Sequence, residues 1–154
     1  MTDTRWLTEA QQRTWRSFLA VDRLVFDRIE RQLQQDAGLP HTYYEILVRL
    51  SESPDRALRM SQLADSSLSS RSRLSHAVAR MEESGWVRRV PIEEDKRGLL
   101  AELTDAGMAK LRSIAPGHVE AVRGVLFDHL DAAQQAALLD ICDTIADALG
   151  EHPA

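Results

Sequence analysis

Arg71-Ser72-Arg73-Leu74-Ser75-His76-Ala77-Val78-Ala79-Arg80-Met81-Glu82-Glu83-Ser84 is the stretch on which the reading of the whole chain turns. At about 100° per residue, Leu74, Val78 and Met81 fall within about 60° of one another and form a stripe that must be buried. Ser69, Ser72, Arg73, His76 and Arg80 occupy the opposite side, and no acid occurs from Ser66 to Met81. Arginine offers two parallel donors to guanine edges or one strong contact to phosphate. Serine and backbone N–H groups at a helix start also hold phosphate. Such a helix suits insertion into a groove of duplex DNA. The plain alternative is the solvated face that any amphipathic helix carries.

The neighbours of this helix narrow the choice. Gly85 ends it, as helix C-termini commonly end. Trp86–Ile92 reads as a strand, Glu93–Arg97 as a charged turn and Gly98–Leu103 as the returning strand. Pro91 cannot donate to a ladder and therefore suits an edge. Upstream, Met60–Ser66 reads as a brief supporting helix. Helix, turn, helix and hairpin make the winged helix-turn-helix order. Arg97 at the hairpin tip could enter a narrow minor groove, with Asp95 holding it through a charge-assisted bond. Against this, a plain charged turn has the same composition, and three acids at the tip repel DNA unless they point away.

Long helices flank this lobe. Thr8 can cap a helix that runs without Pro or Gly to Ala37, far beyond the globular mean of about 11–12 residues. A second helix spans Pro40 to Glu52. Thr104-Asp105 starts another, expected to bend or break at Pro116-Gly117 and resume to about Leu130. Asp131 can cap a last helix to Leu149 with Leu138, Ile141, Cys142, Ile145 and Leu149 on one side. This stripe is either intrachain core or a surface for a second subunit. The expected class is mainly α, a winged helix-turn-helix (α plus one β-hairpin wing) with long N- and C-terminal dimerisation helices. Its segments are 1–38 (N-terminal dimerisation helix), 39–104 (DNA-binding lobe) and 105–154 (C-terminal dimerisation helices), all within one domain. No βαβ alternation appears, which argues against a parallel α/β enzyme fold.

Composition agrees with a single ordered domain: 154 residues, 44% apolar and 28% charged. One cysteine excludes an internal disulfide framework. No apolar run is long enough to span a membrane and no signal peptide is visible at the N-terminus, so the expected location is the cytoplasm. A net charge of −5 normally argues against nucleic acid as a partner, but charge is sorted along the chain. Between Arg56 and Gly98 nine basic residues face six acidic ones, a net charge of +3, whereas Asp128–Ala154 holds six acids and no Lys or Arg. Five scattered histidines show no zinc spacing, so no metal and no cofactor is expected. A Gly-rich phosphate loop, a nucleophile elbow and a suitably placed carboxylate pair are all missing, which argues against an enzyme.

Leu63-Ala64, Ser70–Ser75, Met81-Glu82 with Gly85-Trp86-Val87, Asp95-Lys96-Arg97-Gly98 and Leu103-Thr104-Asp105-Ala106-Gly107 together resemble the MarR family of bacterial transcriptional regulators. The resemblance covers nearly the whole chain. It implies a homodimeric repressor on a pseudo-palindromic DNA operator, with the N- and C-terminal helices interlocked between subunits. It also implies that Ser70, Arg71, Ser72, Arg73, His76 and Arg80 lie at or near the major groove. Arg97 would then sit in the minor groove, oriented by Asp95. Ser66-Ser67-Leu68-Ser69 replaces a turn in which the family often has Gly, which bears on the tilt of the reading helix. Members are often released from DNA by small aromatic acids or other effectors, and Trp15, His41, Tyr44 and His118 are the ring and donor candidates for an aromatic anion. The structural alternative puts Trp15 and Tyr44 in the core and makes the histidines satisfied surface or interface groups. Cys142, within an apolar stripe and with nothing basic near it in sequence, reads as buried and inert. The competing function is a winged-helix protein–protein interaction module that binds no DNA sequence specifically.

Overall fold

The computed structural model describes residues 4–65, 71–92 and 95–150, with the backbone alone at 65, 71 and 95–97. Among these residues the chain order is α1 (Glu9–Ala37), α2 (His41–Glu52), β1 (Ala57–Arg59), α3 (Met60–Asp65), α4 (Arg71–Glu83), β2 (Val87–Ile92), β3 (Asp95–Leu103), α5 (Asp105–Val125) and α6 (Ala132–Leu149). This is the expected class: mainly helical, with a small antiparallel sheet and long terminal helices. The chain forms two compact units, Glu30–His118 and the pair of segments Met1–Ile29 and Val119–Ala154.

The unit Glu30–His118 is built on a three-stranded sheet in the order β1-β3-β2, both pairs antiparallel. β2 lies at an edge, and Pro91, opposite Leu99, therefore breaks no second ladder. β1 was not foreseen. It pairs Ala57 with Glu102 and Arg59 with Leu100, so the sheet has a third strand beyond the hairpin. Leu33, Leu47, Leu50, Leu63, Val78, Met81 and Val87 expose almost nothing and tie the end of α1, α2, α3, α4 and the sheet into one core. α5 adds Leu111 and Ile114 to it. Of the bend or break expected at Pro116-Gly117, the break does not occur: α5 continues through Pro116 to Val125. Proline removes one helical hydrogen bond, and the buried face of Gly107, Leu111 and Ile114 fixes the preceding turns. The helix then stops short of Leu130, giving way to a 3₁₀ turn at Phe127–His129.

The terminal unit is differently made. Thr8 caps α1 reciprocally: its Oγ1 accepts from the Gln11 N–H at 3.2 Å while Gln11 Oε1 accepts from the Thr8 N–H at 2.9 Å. Asp131 and Gln134 repeat the arrangement at the start of α6. Both helices are well begun, yet α6 buries none of its residues. Ile141, Ile145 and Leu149 are exposed, as are Trp15, Phe18 and Phe26 on α1. Cys142 is exposed as well, against the expectation of a buried thiol. On the stripe to which it belongs, Leu138 is half-buried while Ile141, Ile145 and Leu149 stay exposed among the described residues.

Candidate nucleic-acid interface

On α4 the helical period sorts residues as the sequence suggested. Leu74, Ala77, Val78 and Met81 are buried, while Ser72, Arg73, Ser75, His76 and Arg80 are exposed. The apolar side anchors the helix and the polar side faces solvent. Arg80 Nη1 lies 3.0 Å from Glu83 Oε2, which holds the guanidinium over the last turn and raises its pKa further. Ser69, Ser70 and the side chains of Arg71, Asp95 and Arg97 fall outside the described residues.

The helix is joined to the hairpin through a compact corner. Gly85, at φ +74°, accepts the left-handed turn that ends α4. Its N–H bonds the Glu82 carbonyl at 2.9 Å and the Trp86 N–H bonds the Met81 carbonyl at 3.0 Å, the paired closure of a Schellman motif. Glu82 then reaches across to β2. Its Oε1 accepts the Arg89 backbone N–H at 3.0 Å, and its Oε2 accepts Arg89 Nε and Nη2 at 2.9 and 2.7 Å. The bonds from the Arg89 backbone and side chain hold the Glu82 carboxyl below the usual carboxylate range. Arg88 pairs with Glu102, directly opposite on β3.

Thr104 locks the far side of the same corner. Its hydroxyl donates to the Gly85 carbonyl at 2.6 Å and accepts the Gly107 N–H at 3.0 Å, while its own N–H donates to the Trp86 carbonyl at 3.0 Å. Gly107 makes this approach possible, since a Cβ there would stand 2.1 Å from the Trp86 oxygen. Lys110 Nζ lies 5.4 Å from the Trp86 ring centre and donates to the Ala37 carbonyl at the end of α1. The spaced pieces Gly85-Trp86 and Thr104–Gly107 are thus two halves of one joint at the base of the wing.

Three of the four candidate ligand residues come together in the same unit. The rings of Tyr44 and His118 are 4.1 Å apart between centres, and those of His41 and His118 are 6.2 Å apart. His118 Nδ1 is buried without a hydrogen-bond partner among the described residues, as is Gln32 Oε1. Burial, reinforced by the neighbouring His41, lowers the His118 pKa below 6.5, and burial followed by the charge of Glu52 raises that of Tyr44. Tyr44 is core, as the structural alternative held. Trp15 is not: it belongs to the terminal unit, where its exposed ring stacks on Phe18 at 6.0 Å.

The profile of the MarR family matches residues 37–98. Sco3205, a MarR family transcriptional regulator from Streptomyces coelicolor solved in complex with DNA, is 51% identical, with a TM-score of 0.91 over 100% of this chain and 95% of its own. AbsC, a MarR family regulator from the same organism, is 44% identical with a TM-score of 0.88, over 95% of this chain and 98% of its own. The chain belongs to the MarR family. Among curated relatives, the HTH-type transcriptional regulator PecS of Dickeya dadantii is 32% identical over 67% of this chain and 63% of its own length. The match to PecS, like those to the curated repressors, spans less than two thirds of the relative.

Membership gives context to residues to which the sequence alone assigned no role. Glu82, Thr104 and Gly107 stand inside the motifs that carried the resemblance, yet their work is in the joint and not at an exposed surface. Gln32 gave no signal at all, because an orphaned acceptor is visible only when the surrounding packing is known. No described helix is long and apolar enough to cross a membrane.

Proposed function

We propose that this chain is a homodimeric transcriptional repressor that binds a pseudo-palindromic operator. The observation that carries the reading is the exposed face of α4: Ser72, Arg73, His76 and Arg80 point outward from a helix anchored by Leu74, Val78 and Met81. A relative sharing half of the sequence is in complex with DNA. In this reading α4 enters the major groove with Ser70 and Arg71 at its start, and Arg97 enters the minor groove with Asp95 orienting it. Arg73→Ala and Arg97→Ala each weaken operator binding by about 1–3 kcal/mol while the protein stays folded. Duplexes selected from a random pool and measured by gel shift test this, and unchanged affinity in both variants removes the assigned roles. Failure of the wild-type chain to bind any duplex at low salt favours the protein-interaction module instead.

The second subunit is proposed to cover α1 and α6. Exposed apolar residues in this number mark an interaction surface, and Ile141, Ile145 and Leu149 recur along one helix. Ile141→Asp with Ile145→Asp converts the dimer to a monomer in light scattering; a variant that stays dimeric rules that face out. The effector is proposed to be a small aromatic acid received by His41, Tyr44 and His118, where rings and an unpaired buried nitrogen lie together. His118→Gln abolishes operator release by such acids, and undiminished release rejects the assignment.

A further inference from the structure

We infer that Glu82 is a positioning residue for DNA reading, whose carboxylate ties the wing to the end of the reading helix so that both meet the duplex as one body. The inference rests on the DNA-binding reading above. It starts from hydrogen-bond direction. Among the described residues β2 pairs with β3 alone, so an amide on β2 that bonds Glu82 points away from the sheet. Arg89 and Pro91 are two residues apart and share that outer side. There the Arg89 N–H is taken by Glu82 and Pro91 has no N–H to offer. The outer edge is closed at Arg89 by a side chain of α4 instead of another strand, and Pro91 offers no donor there.

The same carboxylate takes two further bonds from the Arg89 guanidinium. Such paired contacts fix orientation as well as distance. The two side chains are only about one third exposed, at 35% for Glu82 and 33% for Arg89, which distinguishes this pair from the open Arg80–Glu83 pair one turn away. Along the chain, α4 and β2 are joined by Ser84, Gly85 and Trp86 alone. Glu82 spans that link from helix to strand. A helix in one groove and a hairpin tip in the next require a fixed spacing, and this contact sets it at the root of the hairpin.

Electrostatics supplies a test that separates positioning from charge. Removing an acid from a DNA-facing lobe should strengthen binding if charge alone mattered. Positioning predicts the reverse for Glu82. Operator duplex selected with the wild-type protein is titrated with Glu82→Gln, Arg89→Gln and the double variant, each checked by thermal melting, and the complexes are mapped by hydroxyl-radical footprinting and by dimethyl sulfate methylation. Glu82→Gln is isosteric and can still accept the Arg89 N–H. It should weaken binding about tenfold, as should Arg89→Gln, with the double variant no weaker than either. Minor-groove protection at the operator flanks should fade while methylation protection in the major groove persists.

Unchanged or tighter binding by Glu82→Gln, or losses that add in the double variant, overturns the inference. Additivity would mean that Arg89 meets DNA on its own account. Should Glu82→Gln not fold, Arg89→Lys, which keeps the charge but loses the fork, is expected to weaken binding and minor-groove protection in the same way, and wild-type behaviour from it overturns the inference. Absence of any wild-type footprint would instead remove the DNA-binding reading beneath it.

Discussion

Gly107→Ala tests the joint at the base of the wing directly. The added Cβ would lie 2.1 Å from the Trp86 carbonyl oxygen, 2.7 Å from Leu103 Cδ1 and 2.9 Å from the Trp86 carbonyl carbon. An ordinary carbon–oxygen contact is about 3.3–3.6 Å, so the start of α5 must retreat from the corner by about 1 Å. Two of the neighbouring atoms are backbone and cannot swing aside. The retreat stretches the Thr104 N–H bond to Trp86 and the Thr104 hydroxyl bond to Gly85, now 3.0 and 2.6 Å. Their loss costs about 1 kcal/mol each, and forced repacking a further 1–3 kcal/mol or so. The better helix propensity of alanine offsets up to about 1 kcal/mol. The net destabilisation is therefore about 2–4 kcal/mol.

Urea unfolding at fixed protomer concentration reads this as a midpoint lowered by about 1–2 M, for a slope near 2 kcal/mol/M. Gly85→Ala is the matched control. Its site has φ +74° and, beyond the adjoining residues, no described atom within 4 Å of the added carbon, so it carries only the left-handed penalty of about 1–2 kcal/mol. A Gly107→Ala midpoint equal to wild type, or a loss smaller than that of Gly85→Ala, would refute the reasoning.

Glu83→Gln should tighten operator binding a few-fold at low salt, because the exposed pair it breaks is worth about 0–1 kcal/mol and Arg80 is released from a competing acid; equal or weaker gel-shift affinity opposes this. Stability should fall as the pH drops below about 6.5, the unfolded value for histidine. His118 has its folded pKa depressed, so the unfolded chain binds the extra proton first and the contribution present at neutral pH is lost on passing through the folded pKa. His118→Phe should flatten this part of the stability profile, and an unaltered profile would assign the dependence to other groups.

The fold was legible wherever a local period reports burial. Leu74, Val78 and Met81 announce the inner side of α4, and Gly85 followed by Trp86 announces its end and the next strand. What escaped depends on partners distant in sequence. β1 is three residues whose strand character comes from β3, and Ala57-Leu58-Arg59 has no alternation of its own. At Pro116 the helix runs on unbroken, its preceding turns held by the buried Leu111 and Ile114. Cys142 was misjudged because a stripe on a helix says that something covers it, without saying that this chain does. The cluster of His41, Tyr44 and His118 joins two helices lying far apart in the chain, so only the resemblance could nominate it.

The charge pattern also changes meaning once partners are known. The +3 of Arg56–Gly98 treats nine bases as equivalent, but Arg56 binds Asp105, Arg88 binds Glu102 and Arg89 binds Glu82. These three belong to the frame of the wing. If all nine bases of each protomer neutralised phosphates, the slope of log K against log salt for a dimer would be about −16; with those three committed to carboxylates it is no steeper than about −11. A lobe whose arginines are partly occupied holds random duplex less tightly, and discrimination falls to the residues on the outer face of α4 and at the wing tip. Titration of operator affinity from low to moderate salt measures the slope. A value well beyond −11 would mean that the wing-base arginines leave their carboxylates for phosphate, and that the joint built around Glu82 opens on DNA instead of steering the wing.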